Sequence, residues 1–190
     1  YGLGYALPGY THLLDFLKEK GYSEQEIIDA SLAVKRESRI YDKFRDRVMF
    51  PIINTRGDII GFGGRITDTV ARDGFKPPKY LNSGETLVFN KGRNLFSLNL
   101  AKNSDESSII LCEGYMDVIS VYQAGIKNIV ATLGTAVTAE QAKLLTRYAK
   151  TILLCYDSDE AGQKATIRAT DIINSVNGSA RVIRLRGAKD

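Results

Sequence analysis

The chain is 190 residues long, 44% hydrophobic and 25% charged, with a formal net charge of +4. That length is enough for one large or two small domains with a real core, and the composition is that of an ordinary soluble globular protein. No apolar run approaches the ~20 residues of a membrane helix and no signal-peptide pattern opens the chain, so no membrane contact is expected.

Residues 11–20 place Leu13, Leu14, Phe16 and Leu17 on one helical stripe, closed by Gly21. Ser23-Glu24-Gln25-Glu26 fits a capping box ahead of Ile27, Ile28 and Leu32, which predicts a second helix. On this reading the first forty residues are small helices. Two apolar runs, 48–54 and 59–66, flank Thr55-Arg56-Gly57-Asp58 and predict a hairpin. Gly61, Gly63 and Gly64 in its second strand permit either a bend or close approach of a nucleic-acid backbone. Pro77 and Pro78 mark a loop before Lys79-Tyr80-Leu81-Asn82-Ser83. A short strand over 87–89, Lys91-Gly92-Arg93 and a helix to about residue 102 are expected next. Residues 43–93 hold ten Lys/Arg against five Asp/Glu, so the basic excess belongs to this stretch and suggests a track for a polyanion.

From residue 108 the pattern becomes α/β alternation. Strands over 108–112, 128–133, 151–156 and 181–186 are separated by helices over 115–124, 138–149 and 160–176. Gly125 stands just past the first helix, and Thr138-Ala139-Glu140-Gln141 is a capping box for the second. Such alternation implies a parallel sheet covered on both faces. The polar segment 103–107 predicts a boundary between a basic α+β subdomain over 1–105 and an α/β subdomain over 106–190. Cys112 and Cys155 fall in predicted buried strands and read as reduced core thiols. With a single histidine they cannot build an ordinary structural zinc site. Lacking an initiator Met and ending on a charged loop, the chain reads as a fragment of something longer.

Three of the predicted strands run into acids: Glu113 with Asp117 four residues on, Asp157-Ser158-Asp159, and Asp190. In open parallel sheets ligands bind beyond the carboxyl ends of strands, so these acids are candidates to meet in space. Two like charges ~5 Å apart repel by roughly 3 kcal/mol at an effective dielectric near 20, so such a cluster needs shared protons or divalent cations. Taken singly each acid has an ordinary alternative: Asp159-Glu160 caps the following helix, and Glu113-Gly114 makes a tight turn.

The segments Leu111-Cys112-Glu113-Gly114-Tyr115-Met116-Asp117-Val118 and Tyr156-Asp157-Ser158-Asp159-Glu160-Ala161-Gly162 resemble the TOPRIM domain of topoisomerases, primases and some nucleases. Further segments narrow the resemblance to the bacterial replicative primase family, the DnaG type, over essentially the whole chain. They are Tyr1-Gly2-Leu3-Gly4-Tyr5-Ala6, Arg47-Val48-Met49-Phe50-Pro51-Ile52, Gly61-Phe62-Gly63-Gly64-Arg65, Pro78-Lys79-Tyr80-Leu81-Asn82-Ser83 and Phe89-Asn90-Lys91-Gly92. The resemblance implies a TOPRIM-type four-stranded parallel sheet, and synthesis of short RNA primers from ribonucleoside triphosphates on single-stranded DNA. It assigns Glu113 and Asp117 to catalysis and Glu113, Asp157, Asp159 and Asp190 to two or more Mg²⁺ or Mn²⁺ ions. It assigns Arg65, Lys79, Tyr80, Asn82, Lys91 and Arg47 to template and nucleotide binding. It also implies a cytoplasmic bacterial protein whose zinc-binding and helicase-binding regions are not matched here. Another TOPRIM enzyme and a non-catalytic DNA-binding module are the remaining alternatives.

Overall fold

Among residues 1–67 and 77–184, which the computed structural model describes, the chain forms ten strands and six α-helices. They fall into two units, one of Tyr1–Ile52 with Ile59–Asn90, the other of Ile53–Asp58 with the chain from Lys91 onward.

The first unit contains β1 (Gly4–Ala6), α1 (His12–Glu19), α2 (Glu24–Asp29), β2 (Ala33–Arg36), β3 (Arg39–Asp42), β4 (Arg47–Ile53), β5 (Ile59–Ile66) and β6 (Tyr80–Asn82). Both expected helices form. The α1 stripe buries Leu14 in a small core with Ile27 and Ala33, and α2 carries the reciprocal Ser23–Glu26 capping box. The start of α1 is capped from a distance: the buried Asp42 carboxylate of β3 accepts the N–H groups of Leu13 and Leu14, both at 2.8 Å. β4 and β5 are neighbours in a sheet of order β1-β4-β5-β6, with β1 antiparallel to β4 and β6 antiparallel to β5.

Two expectations for this region are corrected. The first forty residues are not helical throughout, because β1 and the β2–β3 hairpin lie among them. Glu37 turns that hairpin at φ +54°, a conformation usually signalled by Gly or Asn, so the turn had no sequence mark. Residues 87–89 are not a strand. Thr86 exchanges hydrogen bonds with the Phe89 backbone, its N–H reaching the Phe89 carbonyl at 2.9 Å and its hydroxyl accepting the Phe89 N–H at 3.0 Å. The tight turn this makes buries Phe89.

The second unit begins, after a 3-10 turn at Lys91–Arg93, with α3 (Leu98–Ala101). It continues through β7 (Ser108–Cys112), α4 (Tyr115–Gln123), β8 (Ile129–Ala131), α5 (Ala139–Thr146), β9 (Thr151–Leu154), α6 (Glu160–Ser175) and β10 (Ser179–Val182). The four strands pair in parallel in the order β10-β9-β7-β8 and are flanked by helices, as expected. Leu111, Val130, Ile152 and Leu154 of the strands meet Leu145 of α5 and Ile173 of α6 in an apolar core. Each such side chain stabilises the fold by about 1.5–3 kcal/mol relative to exposure. The last strand starts two residues earlier than the run 181–186 suggested. Asn177, at φ +62°, turns the chain out of α6, and pairing begins at once with Ser179 opposite Thr151. No helix among the described residues is long and apolar enough to cross a membrane.

Candidate active site and nucleic-acid groove

The acids of the second unit sit where β7 and β9 give way to loops. These strands are neighbours, with Leu111 opposite Leu154, so the residues just beyond them emerge side by side. The Asp157 N–H donates to Glu113 Oε1 at 3.3 Å and ties the two strand ends together. Glu113 is half-buried. Burial pushes its carboxyl above the ordinary range; the Asp157 N–H works against that, and the charges of Asp157, Asp159 and Asp117 add to it. Among the described residues, the charges that act on Glu113 most strongly are thus carboxylates.

Two of the acids also have a local structural role. Asp159 is the N-cap of α6 and accepts the Gly162 N–H at 2.7 Å. Asp117, in the first turn of α4, accepts the Gly114 N–H at 2.9 Å. Gly162 is required by close approach, since a Cβ there would stand 2.1 Å from the Asp157 carbonyl oxygen. The loop is therefore folded tightly onto the start of α6, and Asp157 and Asp159 remain exposed. Behind the acids, burial pushes the Cys112 thiol and the Tyr156 phenol far up, so both are neutral. Cys155 is likewise a free thiol, half-buried rather than fully buried.

Among the described residues no three His, Cys, Asp or Glu side chains close into a ready metal cage. Hard carboxylate oxygens grouped around an acid whose described charged neighbours are Asp157, Asp159 and Asp117 still fit a Mg²⁺-type ion, which takes one or two carboxylates and fills its shell with water and phosphate. Asp190 lies outside the described residues.

The expected basic residues separate into three groups. Arg65 and Tyr80 are cross-strand partners on β5 and β6, the guanidinium 6.0 Å from the ring centroid. Asn82, two residues on, shares their face of the sheet, and Lys79 is exposed just before β6. Lys91 belongs to the second unit, on the 3-10 turn. Arg47 is only 4% exposed. Its guanidinium donates to the carbonyls of Gly64 at 3.1 Å, Pro78 at 3.0 Å and Lys79 at 3.4 Å. It acts as an internal brace for the segment carrying Lys79, its guanidinium spent on backbone carbonyls. Gly64 makes room for it, because a Cβ there would stand 3.0 Å from Arg47 Cδ.

The first unit also holds a groove of about 1310 Å³ that sequence reasoning missed, lined by Tyr10, Tyr41, Arg36, Arg39, Lys43 and Arg45 among others. The Tyr10 and Tyr41 rings are 5.5 Å apart, and the Arg45 guanidinium stands 5.4 Å from the Tyr10 ring centroid. Aromatic rings interleaved with cations are the elements of a single-strand binding surface. The available signal was the run of six Lys/Arg between positions 35 and 47, interrupted by Tyr41.

Residues 1–102 match the sequence model described as the DNA primase catalytic core, N-terminal domain. The chain belongs to the DNA primase catalytic-core family. Residues 110–190 match a second model, described as Toprim-like. The chain is 49% identical, over its whole length, to a DNA primase of Clostridium acetobutylicum, of which it spans 31%. Among solved structures it resembles the primase catalytic core of Escherichia coli, with a TM-score of 0.86 at 39% identity over 98% of this chain and 60% of that one. It also resembles a primase catalytic domain bound to single-stranded DNA, with a TM-score of 0.84 at 40% identity over 98% of this chain and 59% of that one. The chain thus spans about a third of the length of the clostridial primase.

Proposed function

We infer that this primase-family chain handles template and nucleotides in a DNA-dependent RNA polymerase that makes short RNA primers on single-stranded DNA. The observation that carries the reading is the joining of Glu113 to Asp157 across the ends of β7 and β9, beside the charges of Asp157, Asp159 and Asp117. Glu113, Asp157 and Asp159, with Asp190, would hold Mg²⁺ or Mn²⁺ ions, two or more. When bound, such ions neutralise the triphosphate and align the attacking and leaving oxygens.

The chain's own residues do the rest. Glu113 Oε1 accepts the Asp157 N–H, and the carboxylate keeps further lone pairs for an ion or for the proton of an attacking ribose 3′-hydroxyl. The raised carboxyl suits the second of these roles, because a base nearer neutrality takes a proton in the transition state more effectively. Asp117 orients α4 through its cap and adds negative potential. The Tyr10–Arg45 groove and the residues Arg65, Lys79, Tyr80 and Asn82 supply sequence-independent hold on the DNA strand. Lys91 is assigned to the incoming nucleotide. The helicase contact is assigned to regions outside this chain, and the working compartment to the bacterial cytoplasm.

The test is incorporation of ribonucleotides on single-stranded DNA with Mg²⁺ or Mn²⁺, by this chain and by a version extended past Asp190. Incorporation that requires the metal and disappears in Asp157→Asn is the expected result. A folded extended protein that incorporates nothing overturns the reading.

A further inference from the structure

Lys91 stands on a turn whose backbone carbonyls are held by two side chains from the start of α5. Gln141 is fully buried. Its Oε1 accepts the Thr138 N–H at 3.0 Å, and its Nε2 donates to the carbonyls of Lys91 and Asn94, each at 2.8 Å. The Thr138 hydroxyl accepts the Gln141 N–H at 3.1 Å and donates to the Gly92 carbonyl at 2.5 Å. Three carbonyls of the segment 91–94 are therefore taken by one capping box.

A capping box needs from its third helical residue only an oxygen to accept the N-cap N–H, and Glu supplies that as well as Gln. The two amide hydrogens are what distinguish Gln, and here both are spent on the Lys91 turn. The residue at 141 does more than cap a helix. It sets where the backbone of Lys91 lies relative to the parallel sheet that ends in Glu113 and Asp157.

We propose that Gln141 is a positioning residue for Lys91, fixing the reach of its ammonium toward the phosphates of the incoming nucleotide. This rests on the reading of Lys91 as a nucleotide contact. Removing the amide takes the Gln141 donor from two carbonyls of this half-buried turn, and a segment that loses such bonds shifts to recover them. Lys91 then meets phosphate less well, although it is itself intact.

The test is a double-mutant cycle on equilibrium binding of ATP with Mg²⁺, comparing the unaltered chain, Lys91→Ala, Gln141→Met and the double variant. Thermal melting checks that each is folded. Gln141→Met is expected to weaken ATP by about threefold to tenfold, and to have no further effect once Lys91 is Ala. Gln141→Glu keeps the oxygen that caps α5 and is expected to weaken ATP likewise; it replaces Gln141→Met if that variant melts below the measuring temperature. Equal losses from the Gln141 change with and without Lys91, or no loss in a folded variant, overturn the inference while leaving Lys91 in place. Unchanged ATP binding by Lys91→Ala instead removes Lys91 from the nucleotide site, and the inference falls with it.

Discussion

Glu113 is held in a contest between one N–H group and three carboxylates, and substitutions there separate stability from chemistry. In metal-free protein the fold holds the Glu113 proton more tightly than the unfolded chain does, because its carboxyl is raised by burial and by neighbouring acids. The stabilisation from the protonated form is present at acid pH and is lost as pH rises through the raised value. Glu113→Gln removes that loss. Its melting temperature in the presence of a chelator should be no lower than that of the parent at pH 7, while primer synthesis falls by at least about 10²-fold. A clear drop in melting temperature would mean that Glu113 serves the fold and not the reaction. Arg47 behaves in the opposite way. Arg47→Met takes the guanidinium donor from the Gly64 and Pro78 carbonyls, the Lys79 carbonyl keeping the Ile66 N–H, and should lower stability by about 1–3 kcal/mol in urea unfolding. From sequence alone Arg47 reads as one more cation of the template track; its position inside a strand that buries both faces is the missing sign.

At the level of elements, what was legible followed periodicity and caps. The α2 box, the α5 box and the four parallel strands all carried local marks, and all formed. What was illegible depended on residues distant in sequence. The cap of α1 is Asp42, some thirty residues away, and no local motif announces it. Asp42→Ala should accordingly destabilise the chain by about 1–3 kcal/mol through the lost cap, while leaving the backbone bonds of Asp42 to Tyr10 and Arg45 in the groove available. The groove of Tyr10, Tyr41 and Arg45 escaped for the same reason, because separate segments contribute its walls. The loop after β9 was legible as acids and illegible as geometry. Gly162→Ala should force that loop off α6, since the added carbon meets the Asp157 carbonyl. Primer synthesis should then fall even in protein that remains folded by circular dichroism.

Across the whole molecule, each unit gathers mainly one sign of charge at its proposed site. Cations and aromatic rings line the groove of the first unit, and acids gather at one end of the sheet in the second. Binding of single-stranded DNA should therefore weaken steeply with salt. Arg45→Ala and Lys79→Ala should each flatten the log–log slope by about 0.7. Tyr10→Ala should weaken binding by about 1–3 kcal/mol with the slope unchanged, because stacking releases no counterions. Fluorescence anisotropy over a salt series distinguishes the two behaviours, and an unchanged slope in Lys79→Ala would take that residue off the DNA path.

Asp159 holds the Gly162 amide with the same carboxylate that is proposed to meet a cation. The first turn of α6 and the occupancy of the site thus draw on one group, and the Gly162 amide proton becomes a reporter of both. Its exchange with solvent is slow while Asp159 caps the helix and quickens whenever the carboxylate turns away. Hydrogen exchange at this single backbone position, titrated with Mn²⁺, would read metal capture in a protein that has no nucleotide, no template and no reaction under way.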